Sequence, residues 1–331
     1  MVYLGKLPPP LLEKIVFPFQ GTKRKEVLFG AGLGRDCGIV NFGEDLVAVT
    51  CDPITGAPGF LGIFAVQVVV NDLVCSGAEP VALLLSLIFP PHSSPEEIEG
   101  IMREVDTVCR EFGIAVLGGH TEISPVVTKP LVHCAGLGRV RPGFVPDVTA
   151  VAPGDAILIT KGVGIEGTAI LAWERESELQ EAFGARFAER AKGFLSMMSV
   201  FPEARVILPL KPHCLHDVTE GGLLGALWEV CSGRGLGFEI EEQRVFVFPE
   251  TESIAHYFHI DPLRLISSGT LLVFTPSPRE IMSTLEALSI PVFEIGVVTA
   301  CRSMKIRRKD GRIEEVTTCP QDELWRVIAR L

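Results

Sequence analysis

Positive charge is what this chain has least of. Its 30 lysines and arginines face 41 aspartates and glutamates over 331 residues, a formal net charge of −11. A nucleic-acid or anionic-membrane surface needs clustered basic residues. The clusters present are the short Lys23-Arg24-Lys25 and the stretch Lys305 to Lys309, which reads as a solvated hairpin. No nucleic acid and no membrane is therefore expected as a partner. The 9 cysteines are odd in number and lack a CxxC pair, so they read as reduced thiols, mostly small core residues. His213-Cys214 with His216 fits no standard zinc spacing. No apolar run reaches the ~18 residues that cross a bilayer. The opening MVYLGKLPPPLLEK shows no apolar core before a small-residue cleavage site, so a cytoplasmic protein is expected. The glycine loop Gly30 to Gly34 lacks GxGxxG spacing and no Gly-Lys-Ser/Thr follows it, so it is neither a dinucleotide fingerprint nor a Walker loop. No GxSxG elbow of a serine hydrolase is present. No repeat at solenoid period appears.

What is present begins with the stretch Gly59 to Pro80, GFLGIFAVQVVVNDLVCSGAEP. Leu61, Phe64, Ala65, Val68 and Val69 recur at helical spacing. Ile63, Val66 and Val70 fill the other faces, so the spacing predicts a helix buried nearly all round. Asp72 falls on the Leu61/Ala65/Val68 face. Burying an unpaired carboxylate is costly, so Asp72 is expected either to be paired, hydrogen-bonded or metal-bound, or to turn out to solvent at the helix end.

Around this helix the chain alternates. Residues 1 to about 24 read as a Pro-rich irregular arm. Short strands are expected at Val27–Phe29, Gly38–Phe42 and Leu46–Thr50, with a turn at Gly56–Gly59. Val81–Phe89 reads as an apolar strand. Ser94-Pro95-Glu96-Glu97 reads as a helix start, with Ser94 as cap, proline at the first position and acids in the first turn. Ala115–Leu117 is expected as a strand running into a loop, Gly118-Gly119-His120-Thr121-Glu122. Arg141 to Pro146 marks a boundary between an N-terminal domain, 1–145, and a C-terminal domain, 146–331. In the latter, a helix is expected from about Ala169 and another over about Ala185–Met198, with a third over Leu223–Cys231. The class is α/β or α+β in two domains.

Chemistry concentrates at element ends. Asp36 follows the glycine loop Gly30 to Gly34, Asp52 ends a strand and Asp72 ends the apolar helix. Three carboxylates suit a hard cation such as Mg²⁺, which takes few protein oxygens plus water and substrate phosphates. In the second domain Thr219 is placed to cap the helix after Gly221-Gly222, whose amides would favour an anion, with Asp217 beside them. Lys161 to Thr168 forms a similar loop before a helix, and Ser267-Ser268-Gly269-Thr270 offers hydroxyls before a strand. His120 is a candidate general base. Each feature alone is also what a turn aspartate, a tight-turn glycine or a solvated helix start looks like.

Taken in order, GAGLGRDCGIV, TCDPIT, NDLVCSGAEPVALLLSL, GGHTEI, KGVGIEGTAIL, HDVTEGGLLGALWEV and SSGTLLV resemble the superfamily of aminoimidazole ribonucleotide synthetase. That superfamily includes the hydrogenase maturation protein HypE, selenophosphate synthetase and thiamine-monophosphate kinase. The likeness spans roughly Val27 to Val298. It implies a two-domain PurM-like fold whose N-terminal domain dimerises, strands joining across the two-fold axis into a β-barrel. It implies Mg-ATP bound on that domain and a C-terminal α/β domain contributing a substrate cleft. By residue, it implies Asp36, Asp52 and Asp72 as metal ligands, and Gly34, Asn71, Gly118, Gly119, Thr121, Gly221 and Gly222 as nucleotide-binding positions. Asp217 and His120 are the catalytic candidates; His120 stands where an acid often follows the glycines. HypE acts through a C-terminal cysteine, and this sequence ends Ile328-Ala329-Arg330-Leu331. The expectation is thus an ATP-dependent enzyme phosphorylating an amide-like or other small acceptor, in a homodimer. The alternative is a non-catalytic nucleotide-binding scaffold for a maturation partner protein.

Overall fold

The structure, a computed structural model, describes residues 4–55, 59–140 and 144–328. Most of the expected turn at 56–59, the first three residues of the boundary segment and the chain's last three residues lie outside the described residues. Contacts divide the chain into two compact units. The N-sheet unit comprises Arg24–Gly30 and Asp36–Val145. The C-sheet unit comprises Met1–Lys23, Ala31–Arg35 and Pro146–Leu331. The stretch 1–145 is therefore shared between them. The N-terminal arm, expected to be irregular, carries a short helix α1 (Pro9–Ile15), started by prolines at its first positions where a missing N–H does no harm.

The N-sheet unit runs β1 (Val27–Phe29), β2 (Gly38–Asn41), β3 (Leu46–Ile54), α2 (Leu61–Cys75), β4 (Ala78–Phe89), α3 (Pro95–Phe112), β5 (Ala115–Ile123) and β6 (Leu131–Val140). Its six strands are ordered β1-β2-β3-β6-β4-β5, and β4 and β5 pair in parallel across the α3 crossover. α2 is buried on nearly all sides, as its spacing predicts. It lies on the face formed by Ala48, Leu83, Val132 and Cys134. Gly136 and Gly138 of β6 let it come close: a Cβ on Gly136 would stand 2.2 Å from Val69 Cγ1. Each valine, leucine or phenylalanine buried there contributes about 1.5–3 kcal/mol. At the start of α3, Ser94 Oγ accepts the Glu97 amide at 3.2 Å, as the Ser-Pro-Glu-Glu pattern predicts.

One expectation is corrected. The glycine pair Gly118-Gly119 does not open a loop; β5 continues through it to Ile123. The parallel register slips by one residue there, Leu83 facing Val116 and Leu84 facing Gly118, so Leu117 bulges. Gly119 has φ +146°, and a Cβ on it would meet the Leu85 carbonyl oxygen at 1.7 Å, so no other residue fits. The sheet of a single chain is open, with β1 and β5 at its edges. Every residue of β5 is exposed, and Val49 and Leu84 are exposed on the side of the sheet away from α2.

The C-sheet unit continues β7 (Ala156–Thr160), α4 (Ile165–Glu174), α5 (Glu176–Phe183), α6 (Ala185–Lys192), α7 (Phe201–Ile207), β8 (Cys214–Asp217), α8 (Gly222–Arg234), β9 (Gly237–Glu241) and α9 (Pro249–Phe258). Then come β10 (Leu271–Thr275), α10 (Pro278–Ala287), β11 (Val292–Thr299), β12 (Met304–Arg307), β13 (Ile313–Glu315) and α11 (Leu324–Ile328). The seven strands are ordered β13-β12-β9-β11-β7-β10-β8, and the adjacent β7 and β10 are buried along their whole length. The helix expected from about Ala169 begins four residues earlier at Ile165. The one expected over Ala185–Met198 gives way to 3₁₀ turns after Lys192. The nine cysteines are all free. Among the described residues no single helix is long and apolar enough to cross a membrane; one bent pair, Ala185–Met197 with Phe201–Leu210, passes by length and composition.

Candidate functional site

In the N-sheet unit the last turns of α2 present Asn71, Asp72 and Cys75, all buried. Asp72 does not turn out to solvent. Its Oδ2 accepts a hydrogen bond from the Thr50 hydroxyl at 2.6 Å. Thr50 and Asp52 are two apart on β3, so both side chains point to the α2 side of the sheet. Asp36 arrives from the segment before β2, and one of its carboxylate oxygens lies within 4.8 Å of the Cys75 sulfur. The segment before β2 and the last turns of α2 thus carry Asp36 and Asp72 to one end of the unit; β3 runs on past Asp52 to Ile54, so Asp52 does not end its strand as expected. Asp36, Asp52 and Asp72 do not form a set with ligand atoms all within 4.8 Å of one another. That spacing does not suit an all-protein cage. Thr50 is the partner that sequence reasoning missed; its signal is the two-residue offset from Asp52 on a strand.

The other N-sheet candidates lie apart. Gly118, Gly119, His120 and Thr121 sit on the exposed edge strand β5, facing Leu84, Leu85, Ser86 and Leu87 of β4. His120 Nε2 is 3.2 Å from Glu122 Oε2, and both side chains are exposed. At the opposite end of α2, Glu104 of α3 accepts the Gly62 amide at 3.0 Å and so closes the helix N-terminus. Burial raises that carboxyl above its ordinary range, against the pull of the helix amides.

The glycine loop is divided between the units: Gly34 belongs to the C-sheet unit and Asp36 to the N-sheet unit. Gly34 packs against Val230 of α8, where an added Cβ would stand 3.1 Å from Val230 Cα. Arg35 grips Asp147 with two bonds, 2.8 and 3.2 Å. Although Asp147 is buried, which works to raise its carboxyl, the guanidinium and the Thr149 bonds hold it below the usual range.

In the C-sheet unit Asp217 ends β8, opposite Leu271 of β10, and is buried. Gly221 adopts the left-handed cap of α8. Its amide does not face open space: it donates to Asp322 Oδ2 at 2.7 Å. The Thr219 side chain, expected as the cap, gives way to its own carbonyl, which accepts the Gly222 amide at 3.0 Å. The N-terminus of α4 is closed in the same manner, Ser267 Oγ accepting from Gly164 at 2.7 Å and from Ile165 at 3.3 Å. Glu166, in the first turn of α4, takes the Ser268 amide on Oε2 at 3.3 Å. Burial pushes the Glu166 carboxyl up to about 7, with Asp217 and Glu220 adding to the shift. Burial likewise pushes Asp322 up to about 7, although the Leu324 and Gly221 amides pull the other way. Glu166, Ser268 and Asp322 were not singled out as site residues from sequence. Glu166 lies within the recognised Lys161–Thr168 loop and Ser268 within Ser267–Thr270. Asp322 carries no local signal, because its partner is 101 residues away.

Residues 34–140 match the family described as AIR synthase related protein, N-terminal domain, and residues 152–309 match AIR synthase related protein, C-terminal domain. A putative hydrogenase expression/formation protein of Methanocaldococcus jannaschii is 29% identical over 276 residues, 81% of this chain and 79% of that one. A carbamoyl dehydratase HypE of Rhodobacter capsulatus is 28% identical over 280 residues, 82% of this chain and 78% of that one. Among solved structures, a hydrogenase maturation protein HypE in complex with ATP superposes with a TM-score of 0.73 at 20% identity, covering 98% of each chain. The last likeness is one of fold.

Proposed function

Because the chain belongs to the AIR synthase related protein family, matched over both its N-terminal and C-terminal domains, we propose that it is an ATP-dependent enzyme. It transfers the terminal phosphoryl group to the oxygen of an amide-like or other small acceptor. The observation that carries this reading is Asp72: a carboxylate buried at the end of an apolar helix, with Thr50 on one oxygen and Asp52 on the neighbouring strand position. Such a group is retained where charge must be met by charge. Asp36, Asp52 and Asp72 would hold Mg²⁺, which offsets the phosphate charge when bound. The acceptor oxygen forms a bond to the terminal phosphorus as the bond to the bridging oxygen breaks and ADP leaves. The phosphorylated oxygen then departs as phosphate when the acceptor is dehydrated. The carbamoyl dehydratase name of the Rhodobacter capsulatus relative supports the dehydration half of this reading.

The open sheet supports a homodimer. A fully exposed edge strand beside exposed Val49, Leu84 and Val116 is a surface that another strand set covers. Two such sheets joined edge to edge account for the β-barrel that one chain lacks. Replacing Leu117, the bulged residue of β5, by lysine is expected to shift the protein from dimer to monomer in sedimentation equilibrium. A wild-type monomer at micromolar concentration refutes the dimer.

The enzyme reading is tested by calorimetry with Mg-ATP and by ADP release. Asp72→Asn is expected to weaken Mg-ATP binding by at least about tenfold, since a hydrogen bond to a charged group is worth about 1.5–3 kcal/mol. Unchanged binding in that variant, or no binding by the wild type, refutes it.

A further inference from the structure

We infer that the C-sheet unit carries a pocket for a cationic nitrogen group, an ammonium or amidinium, built from Ser268 Oγ, Asp217 Oδ2 and the carboxyl of Glu166. The inference names the chemistry of the acceptor and so rests on the enzyme reading above.

Three observations carry it. First, Ser268 Oγ and Asp217 Oδ2 are buried without a hydrogen-bond partner among the described residues, and each residue is 1% exposed. An orphaned buried oxygen costs about 1–3 kcal/mol; the Ser268 hydroxyl can donate or accept, but an occupant that relieves Asp217 Oδ2 must bring a donor. A carboxylate oxygen can only accept. The two residues are held together by the sheet. Asp217 pairs with Leu271, and Ser268 sits in the loop entering that strand, its amide on Glu166 Oε2 at 3.3 Å.

Second, the groups that would receive an anion are already taken. Ser267 Oγ covers the Gly164 and Ile165 amides of α4, and Asp322 covers the Gly221 amide of α8. The two positive helix ends therefore have their own oxygens and leave none of these N–H groups for a phosphate or carboxylate.

Third, the sign of the charge is set. Glu166, Asp217, Glu220 and Asp322 lie close enough that Asp217 and Glu220 raise Glu166, and Glu220 raises Asp322. Glu220 takes the Lys6 amide at 2.7 Å and the Trp325 indole N–H at 2.9 Å. His216 Nδ1 stands 3.8 Å from Asp217 Oδ1. A group with several N–H donors and a delocalised or mobile charge fits these acceptors.

The full-length protein is titrated calorimetrically with ethylammonium, acetamidinium, acetate, inorganic phosphate and Mg²⁺, each alone. The two organic cations are expected to bind in the millimolar range. Asp217→Asn, which puts a donor where an acceptor stood, is expected to weaken them at least about tenfold. Ser268→Ala, which deletes one atom from a small buried side chain, is expected to weaken them less while preserving the melting transition. Neither organic cation binding up to about 50 mM overturns the inference. So does acetate or phosphate binding that the two substitutions abolish, or Mg²⁺ competing ethylammonium away. Mg-ATP binding measured on the same sample separates the two readings. If ATP binds and the organic cations do not, only the pocket falls; if ATP does not bind, the enzyme reading falls on its own.

Discussion

The end of α2 and the start of α8 meet the same problem, a polar helix terminus beside an apolar sheet, and solve it differently. At α2 the final turns leave a buried carboxylate that accepts from the Thr50 hydroxyl, and further acids, Asp36 and Asp52, stand on neighbouring elements of the unit. At α8 the first amides are closed internally by Asp322 and the Thr219 carbonyl, and at α4 by Ser267. The sheets differ as well. β7 and β10 are buried throughout, while β5 is exposed throughout. The contrast shows that a glycine pair before a helix is no evidence of an anion site until its N–H groups are accounted for. It also shows that an acid at the end of an apolar helix can stay buried with a strand hydroxyl as its donor instead of turning out to solvent.

The comparison breaks most sharply at the β5 glycines. Gly119→Ala drives a Cβ into the Leu85 carbonyl and is expected to destabilise the N-sheet unit by about 3 kcal/mol or more. Gly118→Ala, with φ +148° but open space around it, is expected to lose only about 1–2 kcal/mol. Urea denaturation followed by circular dichroism compares the two. Equal losses show that backbone strain, not the close approach, decides the site.

The buried acids of the C-sheet unit come next. Burial raises the Glu166 and Asp322 carboxyls in the folded protein to about 7, well above the ordinary carboxylate range. A raised carboxyl favours the folded state while protonated. That contribution is fully present below about pH 4 and is lost as pH climbs through about 7. Glu166→Gln is expected to flatten the fall in melting temperature between pH 5 and 8, and so remove a pH dependence on the order of 2 kcal/mol. An unchanged pH profile refutes the assignment.

The smallest effects are at the caps. Ser267→Ala removes a buried acceptor from two amides of α4 and is expected to lose about 2 kcal/mol. Ser94→Ala at the exposed start of α3 is expected to lose about 0.5–1 kcal/mol. A larger loss at Ser94 than at Ser267, measured by thermal melting, inverts the comparison.

The local parts of this structure were legible in the sequence. The α2 spacing predicts its all-round burial, Ser94-Pro95 predicts a capped helix start, and the two-domain α/β class follows from the alternation of elements. What was not legible depends on distant partners. Gly118-Gly119 looks like a turn because a strand bulge and a loop use the same residue type; only Leu85 distinguishes them. The capping role of Asp322 requires knowing that α11 folds back beside α8. The arm joins the C-sheet unit through Lys6, whose Nζ meets Glu229 at 2.9 Å and whose amide meets Glu220, pairings no local pattern announces.

The Leu85–Gly119 approach also behaves as a latch. Sliding β5 along β4 so that the next residue faced Leu85 would set His120, with its Cβ, over that carbonyl oxygen. Movement one way is blocked by a single missing side chain, so the rim of this sheet holds its alignment without a turn to pin it. A neighbouring strand docking on that rim would meet a fixed row of amides and carbonyls.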